Sequence, residues 1–305
     1  MDKQVVQFKC VTESNEAEKI WRKLSPAETI YDTWEFRALF QKYHQKEIRF
    51  FVGFVNDEMI GCLPLQYNQE KGWLEFFAGD YMEDNRLFLK DEFEIYRPDF
   101  YEHMKTLGEK VKLEYIRAND EFTKTFEVID YKWVLSLAGM TSYKDFLDQK
   151  FEGKTRNTFY RKLRKFETET IEVVKNDYQD LELLFEYNKL MFGDHSSFND
   201  RPFHQEIFRD LVAIPEFAPE ILTFVINGEK EAVSFSLRYN GWYEFFLFGL
   251  RPDKIKDLST LINIHNIQNA IETQSSYFDA FVGAYGWKDR WHFTSIPQYK
   301  FTFGF

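Results

Sequence analysis

Residues 50–79 read FFVGFVNDEMIGCLPLQYNQEKGWLEFFAG, and residues 222–249 read LTFVINGEKEAVSFSLRYNGWYEFFLFG. Each stretch predicts a strand, a tight polar turn, a second strand, a second turn and a third strand. The first turns, VNDEM and INGEK, place Asn-Asp and Asn-Gly at their centres. These residues tolerate positive φ, which a two-residue hairpin demands. The second turns contain KGW and NGW, and both copies run on as GW-x-EFF with a glycine shortly after. The flanks extend the match. Helical patterns precede each meander: NEAEKIWRKL and DTWEFRALFQKY in the first copy, DYQDLELLFEYNKLMF and DRPFHQEIFRDL in the second. A helix and a short strand follow each: DFYEHMKTLGEK with VKLEYIRA, then LSTLINIHNIQNAIE with YFDAFVGA.

The order strand, helix, helix, three antiparallel strands, helix, strand therefore occurs twice. A period this long excludes a solenoid. It predicts two tandem α/β (α+β) domains, each a mixed, mainly antiparallel sheet flanked by helices. The expected organisation is an N-terminal domain over residues 1–140, a basic helical linker over 141–169, and a C-terminal domain over 170–305.

Composition bounds the function classes. The chain has 305 residues, 44% hydrophobic and 19% aromatic, which is globular. Most of its 34 phenylalanines fall on core-type spacing. No apolar run is long enough to span a membrane, and the N-terminus lacks a signal-peptide pattern. Cys10 and Cys62 are too few for a zinc site or a disulfide framework and point to a reducing, cytoplasmic setting. A net charge of −11 argues against general nucleic-acid binding. Within this acidic chain, KTRNTFYRKLRK (154–165) is a local exception, with six Lys or Arg and no acid. As a helix it puts Phe159, Leu163 and Phe166 on one stripe and splays the cations around the rest. One ligand cannot meet all of them. Arg156, Arg161 and Arg164 are the candidates for a phosphate, because a guanidinium offers a bidentate fork.

Three passages carry a family resemblance. LFQKYHQKEIRFFVGFVNDEMIGCLPL (39–65) supplies a helix and hairpin ending in Gly-x-x-Pro-Leu. KTRNTFYRKLRKFE (154–167) supplies an Arg-rich helix, and YFDAFVGAYGWKDRWHF (277–293) supplies a distinctive ending. Together they resemble the FemAB-like group of tandem GNAT acyltransferases, and within it the CelD/BioF2-like acetyltransferases. The resemblance implies direct acyl transfer in the second domain, with acyl-CoA (acetyl-CoA) or aminoacyl-tRNA as donor and no metal. It also implies a small-molecule or cell-envelope precursor amine as acceptor. The acidic total charge favours acyl-CoA over tRNA. A binding or scaffold protein with a degenerate fold is the alternative from another class.

The site expectations follow from both readings. GNAT domains cradle pyrophosphate on a glycine-rich loop at a helix start. The equivalent LRPDKIKDLSTLINIH (250–265) has no such glycines, but offers Arg251, Ser259 and Thr260. The matching first-copy stretch is acidic, so that copy is expected to be non-catalytic. The WYEFFLFG strand, with Phe246 and Phe248, would meet the donor through its main chain, and Glu244 would orient the amine. Its counterpart Glu75 keeps a structural role open. Asp279 faces a cleft or solvent by strand alternation. Lys288 would stabilise the oxyanion or hold a phosphate, and the resemblance ties the matching lysine to catalysis. In MFGDHSSFNDRPFH (191–204), His195 beside Asp194, and His204, are candidates for deprotonating the amine. The sequence holds no metal cluster, nucleophile triad or Walker loop.

Overall fold

The computed structural model describes every residue except 1, 2, 80, 119, 168, 202, 253, 254, 284 and 285, and leaves out the side chain of Asp200. The elements of the first repeat are β1 (Gln7–Val11), α1 (Ser14–Leu24), α2 (Trp34–His44), β2 (Glu47–Val55), β3 (Glu58–Asn68), β4 (Trp73–Phe76), β5 (Phe88–Leu89), α3 (Arg97–Thr106) and β6 (Lys110–Arg117). Strand β7 (Glu127–Ser136) follows, then helices α4 (Tyr143–Lys150) and α5 (Gly153–Arg164). The second repeat contains β8 (Ile171–Lys175), α6 (Leu181–Phe192), α7 (Ser197–Asp200), α8 (Phe203–Val212), β9 (Glu220–Ile226), β10 (Glu229–Tyr239), β11 (Trp242–Leu250), α9 (Leu258–Glu272) and β12 (Tyr277–Asp279). A short α10 (Trp287–Arg290) and β13 (Thr294–Phe303) close the chain.

Both predicted meanders form. Their first turns carry positive φ at Asn56, Asp57, Asn227 and Gly228, as the turn chemistry requires. The chain divides into two compact units, residues 1–132 with 296–305, and residues 133–295. In the first, strands pair in the order β1-β2-β3-β4-β6-β13, with β5 added to β3. The β4–β6 pair is parallel and the others are antiparallel. In the second the order is β8-β9-β10-β11-β12-β7, with only β11–β12 parallel. The two sheets thus have the same plan. Each is completed by the strand that follows the other copy in the chain.

The final strand belongs with the first unit because its partners are there. Gln298–Phe303 pair with Val111–Arg117. Phe301 is buried, with its ring 5.2 Å from Tyr101 and 5.4 Å from Phe126. In the second unit the apolar faces of Tyr243, Phe245 and Phe278 pack under α9 through Leu261, Ile262 and Ile267. The segment 141–166 joins that core. Phe159 lies 4.5 Å from Phe151 and 5.0 Å from Trp291, and Phe146 stacks on Trp291 at 6.1 Å. On the other side of β11, Gly249 lets α6 approach closely. A Cβ there would lie 2.7 Å from the Asn188 nitrogen and 2.9 Å from the Leu184 carbonyl oxygen.

Replacing Phe301 with Ala should cost about 3–5 kcal/mol, the usual range for a large core aromatic. Hydrogen exchange should show the loss in β6 and α3, with β9–β11 keeping their protection. Loss confined to β9–β11 would refute the assignment of β13.

Candidate active site

The second unit's two parallel strands stay together for three residues only. Trp242, Tyr243 and Glu244 pair with Tyr277, Phe278 and Asp279, after which β11 continues to Leu250 without β12 beside it. Glu244 and Asp279 are therefore neighbours on adjacent strands at the point of parting, and both are fully buried. A bulge marks the same place. Between the pairs Phe235–Leu247 and Leu237–Glu244, β10 advances two residues and β11 three. Phe246 turns toward Phe208, at 6.1 Å, and Phe281, at 4.7 Å. Phe248 stacks on Phe245 at 5.7 Å and faces α9.

The turn after β12 is tied from both ends. The Asp279 carboxylate accepts the Phe281 N–H at 2.8 Å. Phe281 adopts a left-handed φ of 61°, which ends the strand. The Lys288 ammonium, buried in α10, donates to the Phe281 carbonyl at 2.9 Å and to the Val282 carbonyl at 2.7 Å. Lys288 and Asp279 thus hold one two-residue stretch beside Glu244. Of the sequence candidates, these three are brought together.

Beside the unpaired length of β11 lies a cavity of about 590 Å³. It falls in the size range of small-molecule sites, roughly 300–1,000 Å³. Phe248 contributes from β11, Ser259, Thr260 and Asn263 from the start of α9, and Trp287, Arg290, Trp291 and His292 from the α10 region. Thr155, Phe159 and Lys162 complete it from α5. Their i, i+4, i+7 spacing puts them on one helix face. The lining combines aromatic walls with Lys162, Arg290 and an imidazole, a composition suited to an anionic ligand with a flat or apolar part. Trp287, Trp291 and Asn263 were not singled out by sequence. A signal for the last existed, since Asn263, Asn266 and Asn269 recur every three residues along the helix. Asn266 accepts from the Tyr243 hydroxyl at 2.9 Å, and Asn269 donates to Glu220 at 2.7 Å, which fixes α9 on the sheet.

The basic helix divides its charges. Lys162 Nζ lies 3.2 Å from Asp257 Oδ1 and 3.5 Å from Thr260 Oγ1, while Lys165 donates to Asp257 Oδ2 at 2.6 Å. Burial opposes the charge on Asp257, but these two lysines outweigh it and hold its carboxyl below the usual range. Arg156 pairs with Asp148 at 3.3 Å. Arg161 and Arg164 are exposed and make no ion pair among the described residues. None of the three arginines lines the cavity; Lys162 does. Arg251 is committed to Glu229 at 2.8 Å, while Asp253 and Lys254 of the same loop lie outside the described residues. His195 is exposed in a 3-10 turn with Asp194, and His204 is buried in α8. Neither lines the cavity. Among the described residues no cluster is arranged to hold a metal, and no helix is long and apolar enough to cross a membrane.

The first unit has the same strand plan but a filled gap. Its parallel pair β4–β6 covers Trp73–Leu74 and Lys110–Val111. Beyond it, Asn85 bridges to Ile116. The Asn85 N–H donates to the Tyr115 carbonyl at 2.9 Å, and the Arg117 N–H to the Asn85 carbonyl at 2.8 Å. The buried Arg37 clamps this segment, donating to Phe77 O, Asp84 O and Asn85 Oδ1. Burial pulls the Arg37 guanidinium down to about 10, so it stays charged at neutral pH. Glu75, the counterpart of Glu244, is held by Lys46 at 2.7 Å and by Gln66, Asn68 and Trp73.

The fold defines a class by architecture, two units of one strand plan in tandem, with parted parallel strands beside a cavity in the second. Residues 153–289 match the family described as acetyltransferase (GNAT) domain. That match runs from the start of α5 into α10 and so takes in the parted strands and most of the cavity wall. No curated protein matches the chain by sequence. Solved structures share the fold along nearly its whole length. FemX superposes with a TM-score of 0.61 at 9% identity, over 96% of each chain. L-PGS from Bacillus licheniformis gives 0.57 at 13%, over 96% of this chain and 92% of that one. A tandem GNAT protein from the clavulanic acid biosynthesis pathway gives 0.56 at 9%, over 98% of each. At these identities the likeness is one of fold.

Lys288→Met keeps the apolar stem and removes the two bonds to the turn. Hydrogen bonds from a charged donor contribute about 1.5–3 kcal/mol each, so urea unfolding should show a loss of about 3 kcal/mol. A loss below about 0.5 kcal/mol would mean the turn is held by other contacts.

Proposed function

We propose that the second unit transfers an acyl group from acyl-CoA, acetyl-CoA in the simplest case, to an amine by direct attack. The observation that carries this is an asymmetry. The same parting of parallel strands occurs twice; in the second unit a cavity lies alongside it, whereas in the first Asn85 bridges the gap. The cavity suits the phosphate-bearing part of the donor through Lys162, Arg290, Ser259 and Thr260. The length of β11 around Phe246 and Phe248 would align the thioester through its main chain.

In the reaction the amine nitrogen attacks the thioester carbonyl carbon. The N–C bond forms, the C–S bond breaks, and the proton that the amine gives to a base is returned to the leaving sulfur, so that the thiol departs neutral and the base is regenerated. We assign the base to the Glu244–Asp279 pair, the acidic groups at the point of parting. Lys288 is a positioning residue, because its ammonium is bound to the Phe281 and Val282 carbonyls. The acceptor class, a small or cell-envelope precursor amine, rests on the FemAB-like resemblance.

A second donor has one observation in its favour. Arg161 and Arg164 stand exposed and without ion pairs among the described residues, on the helix whose other face lines the cavity. A polyanionic carrier such as aminoacyl-tRNA would contact them.

Acetyl-CoA should raise the melting temperature. Lys162→Ala should reduce that shift and Arg161→Ala should leave it. Glu244→Gln and Asp279→Asn should each lower kcat by about 10²–10⁴ with little change in KM, the range for loss of general base catalysis. A shift with aminoacyl-tRNA alone, lost in Arg161→Ala, would replace acyl-CoA by the second donor. No shift with either would overturn the acyl-transfer reading.

A further inference from the structure

Asp257 stands at the N-cap of α9, a position where its side chain normally accepts a helix N–H. Here it makes no such bond. Its backbone takes φ 70° and ψ 11°, a left-handed conformation that favours glycine. The carboxylate instead points to α5, 3.2 Å from Lys162 Nζ and 2.6 Å from Lys165 Nζ. Lys162 lines the 590 Å³ cavity and also reaches Thr260 on its wall. The residue thus forgoes a local cap and accepts an unfavourable backbone, and in return neutralises two cations at the edge of a ligand-sized space.

We infer that the Asp257 carboxylate is an internal stand-in for the phosphate of a ligand, and that binding exchanges one anion for the other on Lys162 and Lys165. The inference deepens the reading of this cavity as the donor site and rests on it for the donor's identity alone. Three features of the structure support it. The two lysines carry one carboxylate between them, so a dianionic phosphate would balance their charge better. Asp257 is tied to α9 by backbone only, and its side chain can rotate away without breaking a helix cap. Helix α5 is held by few apolar anchors, chiefly Phe159 within the helix and Phe166 beyond it, so its basic face can adjust to a larger anion. Asp257 then acts as a specificity determinant. It sets a threshold that weakly anionic ligands do not pass, and it keeps the lysines from collecting bulk anions.

The test uses the full chain and inorganic pyrophosphate, titrated by calorimetry at fixed ionic strength. Asp257→Gly suits the left-handed backbone and should fold; Asp257→Asn removes the charge while keeping the size. Both should bind pyrophosphate about tenfold or more tightly than the wild type, a change of roughly 1.4 kcal/mol. Adding Lys162→Ala should abolish the gain. Unchanged or weaker binding in both variants would overturn the inference, as would a gain that survives Lys162→Ala. Acetyl-CoA, titrated in parallel, separates the two readings. A pyrophosphate gain without any acetyl-CoA binding would leave Asp257 as the stand-in and dismiss that donor. Acetyl-CoA turnover with no gain in the variants would do the reverse.

Discussion

The candidate site depends on a parallel strand pair that ends after three residues. In a continuous sheet, neighbouring strands satisfy each other's main-chain groups and leave no room between them. Parting them needs a device on each side. On β12 the device is a reversal at Phe281, with Asp279 holding the N–H of that residue and Lys288 its carbonyl. On β11 it is a bulge, which re-aims Phe246 and Phe248 to opposite faces. A bulge increases local twist, so β11 turns away where β12 stops. The charged residues of the site are thus also parts of the scaffold that opens it. This explains why Lys288 and Asp279 sit buried, a placement that isolated charges could not sustain.

The first unit fills the same strand plan differently. It has the meander, the glutamate and the parallel pair, yet its gap is bridged by Asn85 and clamped by Arg37. Its charges are spent on structure. Burial opposes the charge on Asp84, but Lys132, Arg86 and Arg117 outweigh it and hold that carboxyl below its usual range. Such a network is costly to break, because removing one member strands the others in a dry interior. The two copies thus put different residues into the same opening: Asn85 and Arg37 in the first, Glu244 and Asp279 beside a cavity in the second.

The meanders and their repeat were legible because hairpins are local. Asn-Asp and Asn-Gly announce their turns, and alternation announces the strands. Glu244, Asp279 and Lys288 were each legible as chemically unusual residues in apolar surroundings. Their adjacency was not, since it depends on the register between strands more than thirty residues apart. The same limit hides the partner of β13, whose pattern reads as a strand but names no neighbour. In α5 the apolar stripe of Phe159, Leu163 and Phe166 was recognised. The face toward the cavity lies along one side of that stripe and takes in Thr155 and Lys162, which a periodicity argument ranks no higher than the arginines. Asp257 was invisible for another reason: an acid at a helix start reads as an ordinary cap, and only its φ and its partners show that it is not one.

The basic stretch at 154–165 also changes meaning once its charges are placed. In a chain of net charge −11, an unbroken run of cations looks like a surface for a polyanion. Three of its six cations are instead neutralised within the unit: Lys162 and Lys165 by Asp257, and Arg156 by Asp148. The run therefore combines two functions along one helix. Its inner edge holds Lys162 and Lys165 against the mostly buried carboxylate of Asp257 beside a cavity. Its outer edge leaves Arg161 and Arg164 in solvent, where screening makes any single contact weak. A small phosphate-bearing ligand would be decided by the inner edge and a long polyanion by the outer one, so the two donor readings differ in which edge of the helix they need.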